Sequence, residues 1–357
     1  MKRRTFLLGA AGLAAAPTLA QHHGGHGDQY ESLVKAGRMG LPEIAHTQRY
    51  FDSPAPKAKN PGRWITRAAL PLPRSEMAWA VEYGDQMHLV GGYAEQRVDR
   101  PYHQVYDPKT DRWLDAPPLP RGANHVGVAV MNDRLYAIGG HLDQNRKPDA
   151  LCFVLDFRTG RWTPIASLPQ RCGAIAVVAY RGRIHAIGGA VGDTNVTKKS
   201  VDTHLVYDEQ TDRWERRAPL PTGRDHTGTL VVGPHIHVVG GRVDSFHTNS
   251  NLHHVYDGDK DAWEMRRPLP TARSGHGAVL YRGRIFVVGG EGTDRVFGQN
   301  EAYDPATDRW EAYAPMPTPR HGLGAAVVGN AIHVAGGGPV MGGGVQSAVH
   351  EAFMLDA

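Results

Sequence analysis

Cysteine is nearly missing: the 357 residues contain two, Cys152 and Cys172. This excludes a disulfide-built scaffold and a zinc site made of several thiolates. Whether these two pair is left open by the sequence. Long apolar runs are missing as well. The one apolar stretch at the start, in MKRRTFLLGAAGLAAAPTLA, is too short and too rich in Gly and Ala to span a bilayer. There is no nucleophile elbow, phosphate loop or dinucleotide fingerprint. The run Gly342-Gly343-Gly344 has no helix after it and does not read as a phosphate cradle. Nor does one charge dominate. Lys and Arg number 40 against 36 Asp and Glu, and with Lys2, Arg3 and Arg4 set aside 37 basic residues face 36 acidic ones. That balance gives no electrostatic case for nucleic acid or an anionic membrane as partner.

Glycine and proline are plentiful, 43 and 25, which fits many tight turns better than helices. They recur in order. The stretch VYDPKTDRWLDAPPLPRGANHVGVAVMNDRLYAIGG, 105–140, returns along almost the whole chain. Gly pairs stand at 91–92, 139–140, 188–189, 240–241, 289–290 and 336–337, and tryptophans at 64, 113, 162, 214, 263 and 310. In the opening unit, alternating residues such as Val126, Val128 and Val130 have the period of a strand. Four antiparallel strands are expected near 123–131, 134–139, 150–156 and 161–166. Turns such as DPKTD, 107–111, join the third and fourth.

A repeat near 50 residues with paired glycines and one Trp per unit resembles the kelch-repeat β-propellers from about Pro61 to the C-terminus. The resemblance implies an all-β, six-bladed propeller with four-stranded antiparallel blades. The repeat starts part-way through a unit at Trp64, and the last unit stops at HEAFMLDA without a Trp. The outer strand of the last blade is therefore expected from Arg63 to Ala69, closing the ring by pairing the two ends.

Three regions are expected. Residues 1–20 have a basic start, an apolar run and a small-residue end at Ala20, the plan of a signal peptide. Arg3-Arg4-Thr5-Phe6-Leu7 resembles the twin-arginine export motif, the alternative being an ordinary secretory signal. Either way a periplasmic or secreted protein is expected, and no Cys near the cleavage region offers a lipoprotein anchor. Residues 21–61 read as a flexible lead-in containing His, Gly and Pro, in which His22, His23 and His26 are either weak Cu or Zn ligands or a solvated tail. Residues 62–357 form the propeller.

Antiparallel order puts the connections after the Gly pairs and those from Leu-Pro into the next blade on one face. The first set is long and varied, as in AVGDTNVTKKSVDTH and RVDSFHTNSNLHH. The opposite face has short, similar turns, so binding is expected on the loop-rich face. Repetition supplies a control, because a residue present in every blade is scaffold and one particular to a blade is a candidate. Arg74, Arg121, Arg171, Arg224, Arg273 and Arg320 recur and read as structural. His88, His185, His237 and His333 share one strand slot with Tyr136 and Phe286. The i, i+2 pair His235 and His237 is accordingly not read as a metal site.

The blade-specific residues are Glu76, Trp79, Asn124, His125, Asp225, His226, His276 and His321 near the first strands, with Tyr93, His141, Asp143, Arg242, Asp244 and Glu291 after the glycines. In kelch proteins, residues at such positions meet ligands around the channel mouth, so by resemblance these are ligand-binding candidates, with no catalytic role assigned. The small residues Cys172-Gly173-Ala174 are expected to leave a gap or an entry path there. A hydrated polar channel mouth is the plain alternative.

A carbohydrate or protein ligand on the loop-rich face is the expected partner. A second reading comes from exported six-bladed kelch proteins that interconvert anomers of sialic acid, where Glu76, His125, Asp225, His226 or Glu291 would serve as acid and base. A third is copper chemistry by resemblance to galactose oxidase, for which Cys172, Tyr93, Tyr102, His125 and His226 supply residue types but not the motif. No cofactor is expected.

Overall fold

The computed structural model describes residues 35–39, 54–77, 79–95, 98–144, 146–194 and 197–356. The expected signal peptide and His22, His23 and His26 lie outside the described residues. No helix among those described is long and apolar enough to cross a membrane.

Six four-stranded antiparallel sheets form the blades. Blade 2 shows the plan: Gly127–Met131, Arg134–Ile138, Cys152–Asp156 and Arg161–Ile165, from the axis outward. The first strand begins four residues later than expected, because 123–126 belong to the connection at the axis. Blades 1, 3, 4 and 5 span 81–116, 176–216, 228–265 and 277–312. Blade 6 joins 324–354 to Arg63–Thr66, with Trp64 opposite Phe353 and Ile65 opposite Ala352. The N-terminal strand thus closes the ring as expected, and no blade edge is left for a stray strand to join at the seam.

Blades are held together by apolar packing and by a few repeated polar ties. Between blades 5 and 6, Val279, Phe286, Met316, Leu323, Ile332 and Phe353 form one buried cluster. Fully burying such a side chain contributes about 1.5–3 kcal/mol. Each repeated Trp donates its indole N–H to a backbone carbonyl of the preceding blade, as Trp113 does to Ala68 at 2.9 Å and Trp263 to Ala218 at 2.9 Å. In the turn before the Trp, Asp111 accepts from Tyr106 Oη at 2.6 Å and from the Ala68 amide at 3.0 Å. The first Gly of a pair lies under the next blade. A Cβ on Gly139 would sit 2.3 Å from the Cys172 carbonyl oxygen, and its φ is +59°.

The arginine reading needs a correction. Arg74, Arg224, Arg273 and Arg320 are fully buried, and each reaches the second residue of its blade's third strand: Gln104, His254, Glu301 and Glu351. Counting four residues on from the buried Leu or Met, the same slot in blades 2 and 3 holds Ala123 and Cys172, with Phe153 and Leu205 as the facing residues. Both halves of the polar pair are replaced together by apolar groups. Arg121 reaches Asp149 from two residues earlier, at 2.6 Å, and Arg171 is exposed. The slot, and not the Leu-Pro-Arg motif, is the scaffold element.

Residues 54–61, expected within a flexible lead-in, run along blade 5. Ala58 N donates to Ala312 O at 2.9 Å, Ala312 N to Pro56 O at 2.8 Å and Ala314 N to Pro61 O at 2.8 Å. Cys152 and Cys172 are both buried and free.

Candidate functional site

The histidines of the shared strand slot have partners that the sequence did not reveal. His88 Nδ1 lies 2.9 Å from His103 Nε2, and His185–His204, His237–His253 and His333–His350 repeat the contact at 2.9, 2.9 and 3.0 Å. The second ring of each pair then meets a backbone carbonyl, as His350 meets Ala68 O at 3.1 Å. Burial drives these rings toward the neutral form, taking His88 to about 4 and His350 to about 3. They are scaffold.

The blade-specific candidates gather at the start of the first strands. There Glu76, His125, Ala174, His226, Gly275 and Gly322 occupy one slot in successive blades, and all have φ between +50° and +62°. Their backbones form a closed belt around the axis. His125 N donates to Glu76 O (3.0 Å), Ala174 N to His125 O (3.0 Å), His226 N to Ala174 O (3.4 Å), Gly275 N to His226 O (3.2 Å), Gly322 N to Gly275 O (2.8 Å) and Glu76 N to Gly322 O (2.8 Å). Two members are glycine, which takes this conformation freely. Glu76, His125 and His226 take it against a steric cost, a pattern associated with functional positions.

Side chains extend the belt into a buried polar network. His125 Nδ1 is 2.5 Å from Asn124 Oδ1, and its Nε2 is 2.8 Å from Glu76 Oε2 without the alignment of a hydrogen bond. His226 Nδ1 is 2.5 Å from Asp225 Oδ1. Arg242 bridges Asp225 at 2.9 Å, Glu291 at 3.0 Å and His226 Nε2 at 3.1 Å. His321 Nδ1 faces Glu76 at 3.2 Å and Glu291 at 3.6 Å, while its Nε2 lies 2.8 Å from Val340 O. Burial alone would favour neutral His321, but Glu291 and Glu76 outweigh it and raise its pKa to about 9. Burial likewise works against ionised Glu76 and Asp225, yet the facing His125 and His321 hold Glu76 well below the usual carboxylate range, and Arg242 with His226 does the same for Asp225. His226 is kept neutral by burial and by Arg242.

This cluster is closed, where the sequence suggested an open mouth. Glu76, Asn124, His125, Asp225, His226, Glu291 and His321 are all nearly inaccessible to solvent. A cavity of about 10 Å³ is bordered by Glu76, His125, His226 and His276. The expected gap at 172–174 is filled: a Cβ on Gly173 would lie 2.0 Å from His141 Nδ1, so the His141 ring occupies that place. The loop of blade 6 covers the cluster from outside, with Gly342 N donating to Glu291 Oε2 at 3.0 Å.

Other candidates fall elsewhere. Trp79 borders the small cavity and also a channel of about 320 Å³ that follows the first strands past Val128, Val130, Thr227 and Thr229. His276 lies between blades 4 and 5, close under Gly228 and Gly240, with neither ring nitrogen hydrogen-bonded. Asp244 binds Arg38 at 2.7 Å and the Ser200 amide at 2.8 Å, so residues from the expected lead-in dock on the loop-rich face. Asp143 is an exposed partner of Lys147. Tyr93 is buried beneath the blade 6 loop, where a Cβ on Gly343 would clash with its hydroxyl.

Sequence reasoning missed Lys198, Ser200 and Asp99. Lys198 is buried near Arg242 and Asp225, and burial together with Arg242 lowers its pKa to about 8. Ser200 Oγ donates to Asp225 Oδ2 at 2.5 Å, and Asp99 accepts from Asn124 Nδ2 at 2.6 Å. Asp99 and Lys198, and Ser200 on the short strand Lys199–Ser200, all lie in connections without a repeated register, so comparison between blades offered no signal.

Comparison with known proteins agrees with this architecture. Residues 173–356 match the KLHDC2/KLHL20/DRC7 Kelch-repeats domain, and residues 123–169 match the Kelch motif. Kelch-like protein terF of Aspergillus terreus is 31% identical over 202 residues, 51% of this chain and 43% of that protein. Kelch-like protein 25 of Xenopus tropicalis is 27% identical over 191 residues, 50% of this chain and 30% of its own length. Kelch-like protein 1 of Mus musculus is 50% identical over 40 residues, 11% of this chain and 5% of that protein. The chain thus spans less than half the length of the curated relatives it matches. With six blades closed by both ends of the repeat region and this family match, the chain belongs to the Kelch-repeat proteins.

Proposed function

We propose that this propeller is a protein-binding module that works through its loop-rich face. Kelch propellers commonly mediate protein binding. The observation that carries the reading is where exposed apolar side chains fall. Among the described residues the large ones are Val98, Tyr102, Leu114, Leu151, Leu280, Val340, Met341 and Val345. All but Leu114 and Leu280 lie on connections of the loop-rich face, in the adjacent blades 6, 1 and 2. Exposed apolar side chains on one face of three adjacent blades suit a protein surface better than a sugar.

The sugar and copper readings are less well supported. Acid and base on opposite faces of a sugar need room for the ring between them, and a cavity of about 10 Å³ holds one small atom or a water. The copper reading drew on Tyr102, which is partly exposed, and on Cys172, whose thiol is pushed up to about 12 by burial. The N-terminal sequence supports an exported protein, and N-terminal sequencing of the mature chain tests that by cleavage after Ala20.

The binding reading is tested with a photo-crosslinking residue placed at Val340 or at Leu280, in cells that make the protein natively. The expected outcome is a discrete crosslinked protein from position 340 that is lost in M341E and is not formed from position 280. Equal crosslinking from both positions, or none from 340, contradicts it.

A further inference from the structure

We propose that the closed end of the axis is a structural site for one divalent first-row transition metal, held by Glu76, His125 and His226. A carboxylate oxygen and one nitrogen from each ring all lie within 4.8 Å of one another, and all three residues are buried. Metal–nitrogen and metal–oxygen bonds of about 2.0–2.2 Å set three such donors about 3.4–3.6 Å apart, so occupancy shifts these side chains by on the order of one ångström, spreading the 2.8 Å contact of His125 with Glu76 and drawing the third donor in. Side-chain torsions can supply that movement.

Several independent features point to a bound atom. The cavity bordered by these three residues is about 10 Å³, the size of a single small occupant. His125 Nε2 is buried and faces a Glu76 carboxylate oxygen 2.8 Å away across this space. The outward nitrogen of each ring is fixed, Nδ1 of His125 by Asn124 Oδ1 and Nδ1 of His226 by Asp225 Oδ1, both at 2.5 Å. With each Nδ1 held outward, Nε2 is the nitrogen left facing inward, and on His125 a metal would take the place of the Nε2 proton that otherwise faces Glu76. Finally, the three residues come from different blades yet share one left-handed slot, with φ of +52°, +50° and +55°. The belt brings these three side chains together at the axis.

One contact stands against occupancy. Arg242 Nη2 is 3.1 Å from His226 Nε2. Metal binding displaces that single contact, while Nε and Nη1 of Arg242 remain on Asp225 and Glu291. The donor set of two imidazoles and one carboxylate suits Zn²⁺, Co²⁺ or Cu²⁺ and not Ca²⁺ or Mg²⁺. Because its three ligands are buried and come from blades 1, 2 and 4, the metal's role is to clamp those blades.

The test uses the full chain with H22A, H23A and H26A, which removes the imidazoles near the N-terminus as competing ligands. The protein is unfolded in guanidinium with a chelator, refolded with equimolar Co²⁺ and desalted. Elemental analysis and visible absorption then measure the bound metal. The expected result is one retained Co²⁺ per chain with ligand-field bands, a raised melting temperature, and at least about tenfold weaker retention in E76Q and in H226A. E76Q keeps the size of the side chain, so it separates loss of a ligand from loss of folding. Refolded protein with a native circular dichroism spectrum and no retained cobalt overturns the proposal. So does retention unchanged by E76Q and H226A.

Discussion

The molecule holds two sets of buried histidines that differ in what they face. In the strands, His88, His185, His237 and His333 each pair with another imidazole among aromatic neighbours, and that second ring meets a backbone carbonyl. At the axis, His125, His226 and His321 meet Glu76, Asp225 and Glu291. Burial pushes every one of these strand histidines away from the proton. At the axis the outcome depends on the neighbour: two carboxylates raise His321 to about 9, while Arg242 helps keep His226 neutral. The residue type is the same, so the surroundings decide whether it is scaffold or a charged group.

The largest effect that sharpens this contrast is acid lability. The strand histidines accept a proton in the folded chain only near 3 to 4, for example about 4 at His88 and His204 and about 3 at His103 and His185, against an ordinary value of 6.5. Between those limits the unfolded chain binds more protons, so stability is full above pH 6.5 and falls as pH drops through 6 toward 4. Each unit below 6.5 costs up to about 1.4 kcal/mol for each such ring. Denaturant melts at pH 7.5, 6.0 and 5.0 are expected to show a steep loss, and a flat profile would contradict the neutral strand pairs. Removing one pair, as H237F/H253L, is expected to reduce the slope.

A smaller effect breaks the axial set. In Gly322→Ala the new Cβ would fall 2.5 Å from the Glu76 carboxylate at a φ of +56°. A loss of about 1–3 kcal/mol is expected in the same melts. The smallest effect has the opposite sign. Ala174 sits in that slot at φ +50°, so Ala174→Gly relieves strain but loosens the unfolded chain, and a gain below about 1 kcal/mol is expected. A loss of stability in Ala174→Gly would mean that its methyl group packs more usefully than its backbone is strained.

Much of the fold was legible in the sequence, because a repeat prints the same constraint six times. The Gly pairs, the Trp of each outer strand and the closing strand at Arg63–Thr66 all stand where the spacing placed them. The arginine slot was misread, since Arg121 and Arg171 follow Leu-Pro by sequence while Ala123 and Cys172 take the position in space. At the axis, blade comparison singled out Glu76, His125 and His226 as particular to their blades but did not show that they close on one another. That closure depends on loops without a repeated register: Lys198, the 338–346 segment of blade 6 and the His141 ring over Gly173. Partners of this kind lie far apart in the chain and follow no period, so spacing says nothing about them.

The central claim is that the loop-rich end of the axis is a sealed polar core, with binding left to the loops above it. Amide hydrogen exchange read residue by residue tests it most directly. Sealing predicts that the amides of Glu76, His125, Ala174, His226, Gly275 and Gly322 exchange as slowly as the middle strands of the blades, because each is hydrogen-bonded within the belt. Exchange of those six amides at the rate of the exposed loops would contradict it and restore an open mouth.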